Sequence, residues 1–67
     1  MKKPLDLQDA WLLAIQKEQE AKDTYSELAD LVDDASVKSL FNFLAQQEEE
    51  HKRRLEEEYD KMFLSEF

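Results

Sequence analysis

The chain's single histidine, His51, follows Glu48 at i, i+3 spacing within the stretch AQQEEEHKRRL, Ala45 to Leu55. At that spacing on a helix a carboxylate and an imidazole are neighbours on one face and can turn toward the same ion. A third residue, Glu18, joins them because it too is an acid on an otherwise apolar helical stripe. Burying a carboxylate without a counter-charge is costly even after relaxation, and neither stripe carries a Lys or Arg to compensate it. A divalent or trivalent cation would compensate it. Carboxylate oxygens combined with imidazole suit Fe²⁺ or Mn²⁺ and also accept Zn²⁺.

Two helices must position this trio. Glycine is absent and the one proline, Pro4, precedes the first periodic segment, so nothing interrupts a helix over about residues 7–32. Asp33 and Asp34 lead into Ala35, Ser36 and Val37, which marks Asp34 as the N-cap of a second helix over about 35–64. The turn over about 33–35 is too short for anything but antiparallel neighbours. The expected fold is all-α, an antiparallel two-helix hairpin forming a single half-domain over 1–67.

The stripes follow a coiled-coil rhythm. Leu7, Trp11, Ala14, Glu18, Ala21, Tyr25, Leu28 and Val32 step by four and three along the first helix. Val37, Phe41, Leu44, Glu48, His51, Leu55, Glu58 and Met62 keep that rhythm on the second. A straight helix drifts off this repeat, so Tyr59 is expected to replace Glu58 on the inner face. Glu18, Glu48 and His51 lie 16, 14 and 17 positions from residue 34. At about 1.5 Å per residue all three fall roughly 21–26 Å from the turn, at one level of the hairpin.

Composition narrows the partners. Seventeen acids against nine bases give a net charge of −8, which repels nucleic acid and anionic lipid while concentrating cations. The lack of cysteine excludes disulfides, thiolate metal sites and Cys-ligated electron-transfer centres from this chain. The opening MKKPLDLQD lacks the apolar run of a signal peptide, and no segment approaches the roughly 18 apolar residues of a membrane span. The expected location is the cytoplasm, or the inside of a protein compartment.

A chain of this length buries only about 60% of its unfolded surface, so a partner or a metal is expected to complete it. Two copies related by a two-fold axis would bring together four glutamates and two histidines in a four-helix bundle. That is the ligand set of a carboxylate-bridged two-metal site.

The stretch EQEAKDTYSELA, Glu18 to Ala29, followed by LFNFLAQQEEEH, Leu40 to His51, resembles one half of a rubrerythrin-type domain of the ferritin-like superfamily. The matching features are Glu18, Ala21 and Tyr25, then LF..LA ahead of Glu48-x-x-His51, and the likeness spans about residues 10–60. Full-length relatives carry this helix pair twice. A single pair is similar to the encapsulated ferritins, which form the site between two subunits.

The resemblance implies a homodimer or larger even-numbered oligomer with a di-iron centre ligated by Glu18, Glu48 and His51. In that reading Glu48 is the bridging carboxylate and Tyr25 lies outside the ligand shell. The implied activity is redox chemistry with O₂ or peroxide, first of all ferroxidase oxidation of Fe²⁺. Peroxide reduction with an external electron donor is the alternative, since rubrerythrins use a Cys-rich iron domain that this sequence does not contain. The segment YDKMFLSEF does not resemble the shell-targeting tail of encapsulated ferritins.

A plainer reading also stands: Glu18 and His51 as a buried hydrogen-bonded pair that fixes register in a non-enzymatic helical dimerisation module. Trp11, Tyr25 and Phe41 read as packing residues. Glu20, Glu49 and Glu50 fall off the stripes and read as solvated or as guides for cations, with Lys52, Arg53 and Arg54 pairing with nearby acids. Leu12, Leu13, Ile15 and Phe43 lie outside the stripe a four-helix dimer buries, and point to a further interface.

Overall fold

A computed structural model of the chain describes residues 4–64. Helix α1 spans Leu7–Leu31 and helix α2 spans Ala35–Tyr59, antiparallel across a three-residue link, with no strand among the described residues. The link works as Asp34 suggests. Its Oδ1 accepts the Val37 N–H at 2.9 Å, satisfying one of the donors that open α2. The Val32 N–H donates to the Leu28 carbonyl at 3.2 Å and closes α1. No basic residue stands in the last turn of α1, and the cation that meets its negative end comes from the other helix: the Lys38 ammonium donates to the Ala29 carbonyl.

At its far end α2 gives way to a π-helical turn over Asp60–Leu64, where the sequence suggested α-helix throughout. The Asp60 N–H is shared between the carbonyls of Glu56 and Glu57. Phe63 here lies against Tyr59, ring centroids 4.9 Å apart and tilted by 44°, while Met62 is exposed. Tyr59 is half-buried and Glu58 exposed, as the drift of the repeat suggested.

The seam between the helices has the expected four-three rhythm with a shifted phase. The α1 positions that face α2 are Trp11, Ile15, Glu18, Lys22, Tyr25 and Ala29, all half-buried or buried. Across from them run Phe41, Ala45, Glu48, Lys52, Leu55 and Tyr59. Among the described residues only Ala29 and Ala45 are fully buried, and such small side chains let the backbones approach at their levels. Tyr25 and Phe41 stack at a level between them, ring centroids 6.3 Å apart. Toward the open end Trp11 Nε1 donates to the Leu55 carbonyl at 2.8 Å, and Gln8 Nε2 donates to the Tyr59 hydroxyl at 2.7 Å.

The expected inner stripe is therefore corrected in part. Trp11, Glu18, Tyr25, Phe41, Glu48 and Leu55 belong to the seam, whereas Leu7, Ala14, Val37, His51 and Met62 are exposed. Ile15, expected outside the buried stripe, is half-buried at the seam. A two-helix hairpin has one contact direction, so a stripe wide enough for a bundle splits. One half meets the partner helix, and the other lies roughly 70° around each helix, at 3.6 residues per turn.

Both exposed halves fall on the same side of the hairpin, hereafter its open side. The chain has a radius of gyration of 15.4 Å, against about 11 Å for a compact domain of this length. Among the described residues the fully buried core amounts to two alanines, which is small for a domain.

Candidate metal centre

Glu18 projects from the fourth turn of α1, and Glu48 and His51 from adjacent turns of α2, so the antiparallel register brings the three to one level. One ligand-type atom from each lies within 4.8 Å of the others. His51 Nδ1 is 3.3 Å from Glu18 Oε2 and 3.6 Å from Glu48 Oε1. Among the described residues this is the only group of three or more His, Cys, Asp or Glu so arranged.

The electrostatics of the trio are unresolved within the chain. Side-chain exposure is 26% for Glu18, 19% for Glu48 and 49% for His51, so the carboxylates are drawn in while the imidazole opens outward. Glu18 Oε2 is buried without a hydrogen-bond partner, because the nearby imidazole nitrogen does not donate to it in this geometry. A buried acceptor left unpaired is costly and calls for an explanation. The approach of Glu18 at hydrogen-bonding range raises the Glu48 carboxyl above its ordinary range, with burial and the charge of Glu18 adding to it and His51 opposing. Two carboxylates held this close repel unless a proton or a cation stands between them.

A metal ion fits these residues. An orphaned carboxylate oxygen, a second carboxylate crowded against it and an imidazole nitrogen form a hard-oxygen and nitrogen donor set, with no Lys or Arg ion-paired to either acid among the described residues. Ligands of one first-row ion stand at most about 4.4 Å apart, twice a bond of about 2.2 Å, and the two His51–carboxylate distances of 3.3 and 3.6 Å fall inside that span. Three ligands leave positions free, and the trio borders the open side of the hairpin.

The remaining candidates fall out as follows. Tyr25 is half-buried against Phe41, and its hydroxyl makes no hydrogen bond to the trio. Trp11 is a packing residue with a polar task that periodicity alone did not reveal, since its acceptor is a carbonyl of the other helix. Glu20 is exposed with Lys17 at 3.3 Å, a pair worth little. Glu49 is exposed, as expected, and its Oε2 also lies 3.0 Å from Lys22 Nζ across the hairpin, which holds its carboxyl below the ordinary range. The signal for that pair was available in the levels of the two helices, since Lys22 and Glu49 lie 12 and 15 positions from residue 34, a difference of about 4.5 Å that a lysine side chain spans. Glu50 is half-buried. Lys52, Arg53 and Arg54 come within 4.0 Å of no carboxylate among the described residues. Leu12, Leu13 and Phe43 are 45%, 43% and 54% exposed, as expected of residues outside the stripe.

No helix among the described residues is long and apolar enough to cross a membrane. A family model described as Rubrerythrin matches residues 9–67. Curated proteins and solved structures give no match to the chain.

Proposed function

The chain belongs to the rubrerythrin family, and on that premise we propose that it is a ferritin-like di-iron protein whose site is completed by a second copy and which oxidises Fe²⁺. The observation that carries the proposal is the level trio of Glu18, Glu48 and His51 with an orphaned buried carboxylate oxygen. Iron is here substrate as well as ligand. Each subunit would contribute two carboxylates and one imidazole, and a two-fold axis on the open side would double that set within a four-helix bundle.

Each residue has a separate task. Glu18 binds from α1 and sets how far the helices must close for the trio to share an ion. Glu48, crowded against Glu18, would bind as the carboxylate whose charge a cation relieves. His51 is the half-exposed ligand at the open side, where a second copy and an oxidant approach. The exposed or half-buried Leu7, Ala14, Leu28, Val37 and Leu44, spread along the open side, would form the surface on which that copy rests. When bound, paired Fe²⁺ ions supply two electrons, which with two protons reduce O₂ to hydrogen peroxide. Mn²⁺ and Zn²⁺ suit the same donors, and Zn²⁺ would block turnover because it has no redox chemistry.

The test is consumption of oxidant. Apo-protein loaded anaerobically with Fe²⁺ is mixed with O₂ or with H₂O₂, and Fe³⁺ formation is followed. Faster oxidation with O₂ than with peroxide is expected. A strong preference for peroxide would move the reading to peroxide reduction with an external donor. No acceleration over free Fe²⁺ with either oxidant would leave a helical dimerisation module.

A further inference from the structure

Lys22 stands four residues after Glu18 on α1, the spacing and order in which a glutamate and a lysine pair most readily along a helix. Such a pair would place an ammonium on the carboxylate that most needs a cation. Yet Lys22 Nζ is 3.0 Å from Glu49 Oε2 on the opposite helix, and Glu18 Oε2 keeps no hydrogen-bond partner. Glu49 follows Glu48 directly and lies about 100° further around α2, away from the open side. Lys22 is half-buried at the seam, so its stem is held between the helices and its head has two acids within reach.

We infer that Glu49 is a positioning residue that holds Lys22 away from Glu18, keeping the ligand free for a metal ion. This rests on the proposed function, because it gives Glu18 an ion to wait for. The arrangement also assigns different tasks to neighbouring acids. Glu48 faces the ion, while Glu49 occupies the one cation that helical spacing would otherwise deliver to the site. Lys17, beside Glu18 in sequence, is already held by Glu20 at 3.3 Å.

Two measurements decide the matter. The first is a crystal structure of metal-free Glu49→Gln, which needs no metal. Lys22 Nζ hydrogen-bonded to Glu18 is expected; a lysine left in solvent or still on residue 49 would overturn the inference. The second is anaerobic Fe²⁺ binding in a double-mutant cycle of Glu49→Gln and Lys22→Met, with Glu50→Gln as a control that removes an unpaired neighbouring acid. Glu49→Gln is expected to weaken binding roughly three- to fivefold, the order of one partly exposed ion pair, and more than Glu50→Gln does. Lys22→Met should restore that loss in the Glu49→Gln background and change affinity by less than about twofold in the parent, within the scatter of independent sites. Equal effects of Lys22→Met in both backgrounds would mean that the two charges act only through long-range fields, and would overturn the inference. If the parent protein binds no iron, the proposed function fails, and the crystal structure still decides where Lys22 goes.

Discussion

Along the seam of the hairpin, polar groups that turn inward find partners within the chain: Trp11 Nε1 on the Leu55 carbonyl, the Lys38 ammonium on the Ala29 carbonyl, Lys22 on Glu49. The exception along the seam lies where it borders the open side: there Glu18 and Glu48, with the exposed His51 a fraction of a turn further round, crowd together with a buried oxygen unpaired and a carboxyl raised in pKa. The two regions share helices, rhythm and apolar neighbours. What separates them is completeness: the rest of the seam holds two antiparallel helices in register with polar groups paired across it, while at the border of the open side a buried carboxylate oxygen stays unpaired. Unsatisfied polarity on a well-formed scaffold is a better pointer to function here than any motif, since a Glu-x-x-His spacing recurs on many acidic helices.

Variants should separate the two regions, beginning with the ligands. Glu18→Ala is expected to weaken Fe²⁺ binding by at least about 100-fold, since losing even an outer partner of a ligand costs about 10- to 100-fold. Isothermal titration under argon measures it. Ala14→Arg tests the open side at a residue exposed in the hairpin. Forcing a large charged side chain into a packed interface costs about 1–3 kcal/mol, so self-association should weaken roughly tenfold or more while helicity is kept. Sedimentation at several concentrations with circular dichroism reads both. Unchanged association would move the second copy to another face.

The seam should respond in stability alone. Trp11→Phe removes the donor to Leu55 and is expected to cost about 1 kcal/mol in urea unfolding. Its iron stoichiometry should equal that of the parent; loss of iron with little change in stability would mean that the seam and the site are one unit.

The smallest effect expected is in pH dependence. Because Glu18 raises Glu48 in the folded chain, the folded form holds that proton more tightly than the unfolded form does. The resulting stability is present below the ordinary value of 4.5 and is lost as pH rises through the raised folded value. In metal-free protein Glu48→Gln should remove this loss, so its urea midpoint falls less than the parent's between pH 4.5 and neutrality. Parallel profiles for the two proteins would contradict the crowding of Glu48 by Glu18.

The level of the trio was legible because rise per residue and distance from the turn are one-dimensional quantities. The Asp34 cap was legible because a short acid ahead of Ala-Ser-Val has few other uses. The phase of the seam was not. Ala14 and Ile15, or Leu28 and Ala29, fit a four-three stripe equally well, and the choice between them belongs to how closely two backbones approach over Ala29 and Ala45. Lys22 and Lys52 were excluded from the inner face as charges, yet their stems lie half-buried at the seam, as long basic side chains can when their heads reach water or an acid. The Trp11 bond to Leu55 was equally hidden, because carbonyls along a helix carry no residue-specific signal.

The central claim is that the trio of each chain is half of a site shared by two copies. Native mass spectrometry of the protein titrated anaerobically with Fe²⁺ tests it most directly. The account predicts an even-numbered oligomer that takes up one iron per chain and loses that uptake with Glu18→Ala. A monomer that binds iron as tightly, or an oligomer whose iron uptake is indifferent to Glu18→Ala, would contradict it.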